Sequence, residues 1–140
     1  MDIAKYWKTI VDTLQDGLMV VDPRGKIVAA NPAAERVTGY SADELVGKSC
    51  RVLNCTGCKI IGTGAGTQWC ALFNKGVIKE KKCLITNKDR HSVHIIKSAS
   101  VLRDENGEII GAVETLTDIT EKIRQQQEIN SLRKTFHLDE

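Results

Sequence analysis

Hydrophobic residues near the N-terminus recur at the spacing of a helix face. Ile3, Trp7, Ile10 and Leu14 follow one another at intervals of three and four residues, which predicts an amphipathic helix over 3–14. The Asp16-Gly17 pair that follows is a typical helix end. The chain is therefore predicted to begin with a helix that has one apolar face.

The next segment has the pattern of a β-hairpin. Two short apolar runs, 18–22 and 26–30, flank the sequence Asp-Pro-Arg-Gly at 22–25. Proline presets φ in such a turn, and glycine accepts the positive φ that closes it. We therefore predict two paired strands here.

Two short helices are predicted after the hairpin. Asn31 caps a helix that starts at Pro32 and stops at Gly39. Ser41 and Glu44 have the spacing of a capping box, which predicts a second helix over 42–46.

Residues 48–76 show neither helical nor strand periodicity. The segment contains Cys50, Cys55, Cys58 and Cys70 among several glycines. Long irregular segments are unusual inside a compact domain and are commonly functional. We call 48–76 the Cys-rich segment.

The last third of the chain returns to regular patterns. Runs rich in β-branched residues at 76–89, 91–104 and 108–120 predict three long antiparallel strands with polar turns between them. A long polar helix follows to about residue 136. Its apolar stripe changes phase, so two interpretations stay open: a helix that leaves the domain to pair elsewhere, or one packed on the sheet.

Composition restricts the functional classes. A chain of 140 residues is expected to be one domain, and its net charge of +2 without a clustered basic face does not suggest direct nucleic-acid contact. The longest apolar runs are too short for a membrane span, and no secretory signal is visible, so a cytoplasmic location is expected. Five cysteines in that reducing setting favour metal or redox chemistry over a disulfide framework.

Two phrases of the sequence resemble the PAS domain family. They are "DGLMVVDPRGKIVAANPAAERVTGYSADELVGK" at 16–48 and "VLRDENGEIIGAVETLTDITE" at 101–121. The residues that carry the resemblance are Asp22, Gly25, Asn31, Pro32, Gly39, Tyr40, Glu44, Leu45, Gly47, Gly107, Gly111 and Asp118-Ile119-Thr120. It implies an α+β fold: a five-stranded antiparallel sheet with helices on one face and a C-terminal connector helix.

The same resemblance implies an organisation and a role. We expect an N-terminal cap helix at 1–16, a PAS domain at 17–120 and a signalling helix or linker at 121–140. The role implied is that of a non-enzymatic sensory module, dimerising through its N- and C-terminal helices and acting on an output domain. The cysteine-bearing segment, which ends in Cys70-Ala-Leu72, resembles that of N-terminal sensor PAS domains in NtrC-like sigma-54-dependent activators. "EINSLRKTF" near the end of the sequence resembles the junction that precedes the AAA+ ATPase domain of those activators. No Walker motif occurs in these residues.

The spacing of the cysteines predicts a metal or cluster site. Cys50, Cys55 and Cys58 have the C-x4-C-x2-C spacing found at the start of plant-type [2Fe–2S] sites, and Cys70 follows as a fourth thiol. Four thiolates also suit tetrahedral zinc. Iron–sulfur is preferred because a sensor needs a state that changes. Cys83, in a predicted strand, is expected to be a bystander.

Flavin and haem are the other cofactors considered. "GKSCRVLN" resembles the flavin-adduct motif of LOV photosensors, but Ile85 and Ile95 stand about where those sequences have asparagine. Leaving the polar edge of flavin unpaired costs about 1–3 kcal/mol per group. Covalent haem would need C-x-x-C-H, whereas Lys59 follows Cys58.

Several residue roles stay open on sequence alone. His91, His94 or a cysteine could bind non-covalent haem, but the sheet face of His94 is not determined; His137 is expected to be solvated. The thiols could instead be inert and buried, or Cys55 and Cys58 could form a regulatory dithiol. The alternative function is a cofactor-free or metabolite-binding dimerisation module. Asp22, Glu44 and Glu114 show no partner at a fixed spacing, so no catalytic pair is predicted.

The predicted signal starts in the Cys-rich segment. Oxidation or loss of a cofactor would loosen residues 48–76, which are expected to cover the sheet. The change would then pass through strand 109–118 into the helix that follows it.

Overall fold

The predicted elements form one sheet with short helices on one of its faces. The computed structural model describes residues 1–56 and 76–137. The strands are β1 (Gly17–Val21), β2 (Ile27–Ala30), β3 (Val77–Thr86), β4 (Ser92–Arg103) and β5 (Ile109–Asp118). The helices are α1 (Trp7–Thr13), α2 (Pro32–Thr38), α3 (Ala42–Leu45) and α4 (Thr120–Phe136), with 3₁₀ helices at Ile3–Tyr6 and Cys50–Leu53. No helix in the described ranges is both long enough and apolar enough to cross a membrane.

The sheet is antiparallel, with its strands in the order β2-β1-β5-β4-β3. The N- and C-terminal strands of the domain therefore lie at its centre, and β2 and β3 are the edges. This confirms the expected five-stranded fold.

One face of the sheet supplies the core. Alternate residues of β4, Val93, Ile95 and Ala99, point to this face, as Met19 and Val21 do from β1. Helix α2 packs its small residues Ala33 and Ala34 against the same face. We call it the inner face of the sheet.

Local capping sets the boundaries of the short helices. The side-chain oxygen of Asn31 accepts from the Ala34 N–H at the start of α2, and Gly39 ends that helix at a φ of 77°. The Ser41–Glu44 capping box of α3 is present as the sequence predicted. Short-range signals were sufficient here because each acts within one helical turn.

An ion pair connects α3 to the turn between β3 and β4. The Lys88 ammonium lies 2.6 Å from a Glu44 carboxylate oxygen. This hydrogen bond, helped by the backbone N–H of Ser41, lowers the pKa of Glu44 from its ordinary 4.5 to about 2. The same contact raises the pKa of Lys88.

Breaking this ion pair should be visible in the titration of Glu44. We expect Lys88→Met to raise the pKa of Glu44 towards 4.5, measured by carboxyl-carbon NMR. The stabilisation by Glu44 is present above its unfolded pKa and is lost as the pH falls towards 2. Lys8→Met, which removes a distant ion pair with Asp12, serves as the control. An unchanged Glu44 titration in Lys88→Met would refute the assignment.

Helix α4 leaves the sheet. None of its residues is buried, and Ile129, Leu132 and Phe136 are exposed. Of the two interpretations left open by the phase of its stripe, the structure supports the helix that departs from the domain.

Candidate functional site

The first part of the Cys-rich segment joins the two edges of the sheet. At one edge, Gly47 and Lys48 exchange backbone hydrogen bonds with Ile27 of β2. At the other edge, the Thr56 N–H donates to the Leu84 carbonyl of β3. Residues 47–56 therefore connect β2 to β3, so a change in this segment acts on both edges.

The segment is held in place by polar and apolar contacts together. The Cys50 N–H donates to the Gly25 carbonyl in the hairpin turn, and Leu53 is buried in the core. Cys50 and Cys55 are half-buried and pack against that core. Two of the predicted ligands thus lie between the helices and the sheet.

Cys83 makes a contact that the sequence did not reveal. Its side chain points to the inner face from β3, where it is 9% exposed, and its Sγ lies 3.3 Å from Cys55 Sγ. Cys83 was expected to be a bystander, yet it is in direct contact with a predicted ligand. Strand alternation with Ile85 gives its face, but its partner comes from a distant segment.

The predicted four-cysteine site is only partly within the described residues. Cys58 and Cys70 lie outside them. In the described ranges, no group of three or more His, Cys, Asp or Glu side chains could hold a metal ion. The site of Cys50, Cys55, Cys58 and Cys70 therefore stays a prediction.

The histidines do not face the core. His94 alternates with the buried Val93 and Ile95, so it lies on the opposite face of β4. Its backbone N–H and carbonyl bond the start of α4, at Thr120 and Ile119. His91 and His137 are exposed. The structure thus supplies no inward-facing histidine for haem among the residues that it describes.

Two described residues of the inner face, Ile85 and Ile95, bear on flavin binding. Ile85 and Ile95, at the positions where a flavin-binding relative would have asparagine, are both fully buried there. Hydrocarbon side chains offer no hydrogen bond to the polar edge of the ring. These two positions therefore offer flavin no hydrogen bond, as the sequence predicted for them.

An ion pair is buried on the inner face. Lys97 of β4 and Glu114 of β5 join through an Nζ–Oε1 distance of 2.6 Å, and their side chains are 8% and 4% exposed. Glu114 has no partner at a fixed spacing in the sequence, because its partner comes from the neighbouring strand. The alternation of Val93, Ile95 and Ala99 around Lys97 was the available signal for its burial.

Comparison with known proteins assigns this fold to a family. The profile of the PAS domain family matches residues 15–121. This chain belongs to the PAS domain family. The match includes β1 to β5 and the short helices α2 and α3, whereas α1 and nearly all of α4 lie outside the matched residues.

The PAS domain resembles parts of bacterial signalling proteins. It is 27% identical over 135 residues to the signal transduction histidine-protein kinase AtoS of Escherichia coli (strain K12), covering 94% of this chain and 21% of the kinase. It is 26% identical over 129 residues to a blue-light-activated histidine kinase of Brucella anthropi, covering 87% and 25%. The chain thus spans about a quarter or less of these relatives.

Solved structures share the fold. A PAS domain from Colwellia psychrerythraea aligns with a TM-score of 0.68 at 22% identity, covering 86% of this chain and 99% of that one. An RNA-binding Light-Oxygen-Voltage receptor aligns at 0.69 and 24% identity, covering 96% and 38%. At these identities the likeness concerns the fold alone.

Proposed function

We propose that the chain is a non-enzymatic sensory PAS domain of a bacterial signalling or transcription regulator. It responds to redox state or oxygen through a cysteine-ligated centre made by Cys50, Cys55, Cys58 and Cys70. The observation that supports this proposal is the 3.3 Å contact between the sulfurs of Cys55 and Cys83, which places a second thiol beside one of the predicted ligands. The similarity to segments of histidine kinases supports a signalling role.

The donor chemistry is suitable for a thiolate-bound metal. Two thiolates on one tetrahedral ion, with bonds of about 2.3 Å, lie about 3.8 Å apart. The backbone around Cys55 therefore already tolerates a second sulfur at nearly that separation. An iron–sulfur cluster would supply a state that changes on oxidation, and zinc would supply only structure.

Cys50 and Cys55 would connect such a centre to the sheet. Both cysteines belong to residues 47–56, whose backbone forms hydrogen bonds to β2 and β3. A displacement of either thiol would therefore also displace the backbone that makes these bonds. The buried side chain of Leu53 transmits the same displacement to the core. The change reaches α4 through β4, whose His94 bonds Ile119 and Thr120.

Metal content is the direct test of this proposal. Protein purified without oxygen should be coloured and should contain iron and sulfide, or contain zinc. The four single variants should each abolish metal binding, because each removes one thiolate: Cys50→Ser, Cys55→Ser, Cys58→Ser and Cys70→Ser. Cys83→Ser is the matched control and should retain it. A colourless, metal-free protein with the secondary structure intact would refute the metal centre.

The alternative function is a cofactor-free or metabolite-binding module that dimerises. A specific observation favours dimerisation: the N-terminal helix leaves Ile3, Tyr6, Trp7, Ile10 and Leu14 exposed, with Trp7 60% accessible. The helix is fixed in place, because the amide of Asn31 donates to the carbonyls of Val11 and Asp16. We propose a second copy of this chain as the occupant, with the exposed stripe of α4 extending the contact.

Trp7→Glu should weaken this dimer. Central aromatic residues of an interface contribute about 2 kcal/mol or more, roughly thirtyfold in dissociation constant. Sedimentation equilibrium would measure the change, with the neighbouring exposed Lys8→Ala as control. A wild-type protein that is monomeric at high concentration would exclude a homodimer.

The output domain is a further part of the proposal. The relatives that this chain resembles are much longer proteins, so we propose that the sensor acts on an attached output domain. The sequence near the C-terminus favours an AAA+ domain of the sigma-54-interacting class, and the similarity to histidine kinases favours a kinase. Two fusions would separate the output classes: this sensor joined to a sigma-54-interacting AAA+ domain, and this sensor joined to a histidine kinase. The activity of each fusion would be measured with a transcriptional reporter.

A further inference from the structure

We propose that Cys55 and Cys83 are a disulfide-forming pair, in which Cys55 reacts with a peroxide and Cys83 resolves the product. The modification would join the Cys-rich segment covalently to β3. This inference deepens the proposed redox function and rests on it, because it names the regulation of the same thiol site. It differs from the Cys55–Cys58 dithiol that the sequence suggested.

The two sulfurs are close enough to react after a small movement. Their separation is 3.3 Å, and a disulfide bond is about 2.05 Å long. The sulfurs would therefore need to approach by about 1.3 Å, which side-chain rotation can supply.

The backbone holds the pair together. The residues that follow the two cysteines, Thr56 and Leu84, are linked twice: the Thr56 N–H donates to the Leu84 carbonyl, and the Leu84 N–H donates to Thr56 Oγ1, each at 2.9 Å. This double link keeps Cys55 beside β3 although 28 residues separate it from Cys83 in sequence. The hydrogen bonds between Thr56 and Leu84 therefore hold the Cys55–Cys83 contact at the β3 edge of the sheet.

The difference in exposure between the two cysteines indicates which one reacts with the peroxide and which one resolves the product. Cys55 is half-buried, whereas Cys83 is 9% exposed and lies opposite the buried Ile95 across the β3–β4 pair. A dissolved oxidant therefore reaches Cys55 first. A sulfenic acid beside a second thiol condenses with it to give a disulfide.

The reaction balances with hydrogen peroxide as the oxidant. The Cys55 thiolate attacks one peroxide oxygen, the O–O bond breaks, and hydroxide leaves to take up a proton. The Cys83 thiolate then attacks Cys55 Sγ, the S–O bond breaks, and water leaves with the thiol proton. Two thiols and one peroxide give one disulfide and two waters, and a dithiol reductant returns both electrons.

The disulfide would compete with metal binding. Cys55 belongs to both sets of thiols, so a bond to Cys83 removes one ligand from the proposed centre. The loop closed by the bond contains Cys58 and Cys70, the two other predicted ligands after Cys55. Oxidation would thereby change the ligand set and link residue 55 to the edge strand in one step.

Peptide mapping of the whole 140-residue protein tests the pair. After treatment with hydrogen peroxide and blocking of remaining thiols with iodoacetamide, trypsin should release peptide 52–59 joined to peptide 83–88. Fragmentation must place the bond on Cys55, because the first peptide also contains Cys58. The joined peptide should disappear after reduction with dithiothreitol.

Single variants provide matched controls. Cys58→Ser should keep the joined peptide, whereas Cys55→Ser and Cys83→Ser should lose it. A Cys55–Cys58 bond in the wild type, or an alkylated Cys83 at a peroxide dose that oxidises Cys55, overturns the inference. Because the wild-type map alone decides between these outcomes, a variant that fails to fold does not remove the test.

The same samples separate this inference from the proposed metal centre. Bound metal with Cys83 left reduced after peroxide would refute the disulfide pair and leave the centre standing. A Cys55–Cys83 bond in protein that never contained metal would support the pair and refute the centre.

Discussion

Glu114→Leu is expected to reduce the free energy of unfolding by about 3–5 kcal/mol, the usual cost of breaking a buried ion pair by removing one of its charges. Lys97 is buried on the inner face beside the Glu114 carboxylate. Its ammonium would lose the carboxylate that offsets its desolvation. Urea unfolding at neutral pH measures the loss.

The double variant shows whether the stability is lost because the ion pair is broken or because the side-chain volume changes. Lys97→Met combined with Glu114→Leu should recover most of the lost stability, because apolar replacement of a buried ion pair is often neutral or stabilising. Glu121→Leu, which breaks the exposed pair with Arg124, is the control and should cost less than about 1 kcal/mol. Equal losses at Glu114 and Glu121 would contradict the buried-pair assignment.

Asn31→Ala is expected to cost about 3 kcal/mol and to release the N-terminal helix. The Asn31 side chain is 1% exposed, and its oxygen accepts from the N–H groups of Leu18 and Ala34. Its amide donates to the carbonyls of Val11 and Asp16. Loss of a helix cap costs about 1 kcal/mol, and a buried group left without a partner costs about 1–3 kcal/mol, which is an upper limit for the part-buried groups of Val11, Asp16 and Leu18.

Asn31→Asp separates the two functions of this side chain. Aspartate keeps the acceptor for Leu18 and Ala34, so α2 stays capped, but it cannot donate to Val11 or Asp16. Hydrogen exchange should then accelerate in residues 3–13 while α2 remains protected. Unchanged exchange in the N-terminal helix of both variants would show that other contacts fix it.

Much of the fold could be predicted from the sequence because its signals are local. The hairpin turn, the Asn31 cap, the glycine stop and the Ser41–Glu44 capping box act within a few residues, and each appears in the structure near its predicted place. The three long strands followed from their β-branched runs. The predicted antiparallel sheet with helices on one face is confirmed.

The site was predictable only in part. The sequence marked Cys50 and Cys55 as chemically special, but it could not give the partner of Cys83, because that contact depends on where residues 47–56 run. It also left the face of His94 open. The burial of its neighbours Val93 and Ile95 against the core fixed that face, since alternation assigns two sides of a strand without saying which one is buried.

The sequence by itself therefore determined the family, the order of the elements and the unusual concentration of thiols. Only the tertiary structure decided that Cys55 contacts Cys83, that Lys97 pairs with Glu114, and that α4 departs from the sheet. The physical reason is the separation along the sequence of the residues that interact. Turns and caps are satisfied by near neighbours in sequence, whereas a buried sulfur or charge is satisfied by whichever side chain the sheet register brings to it.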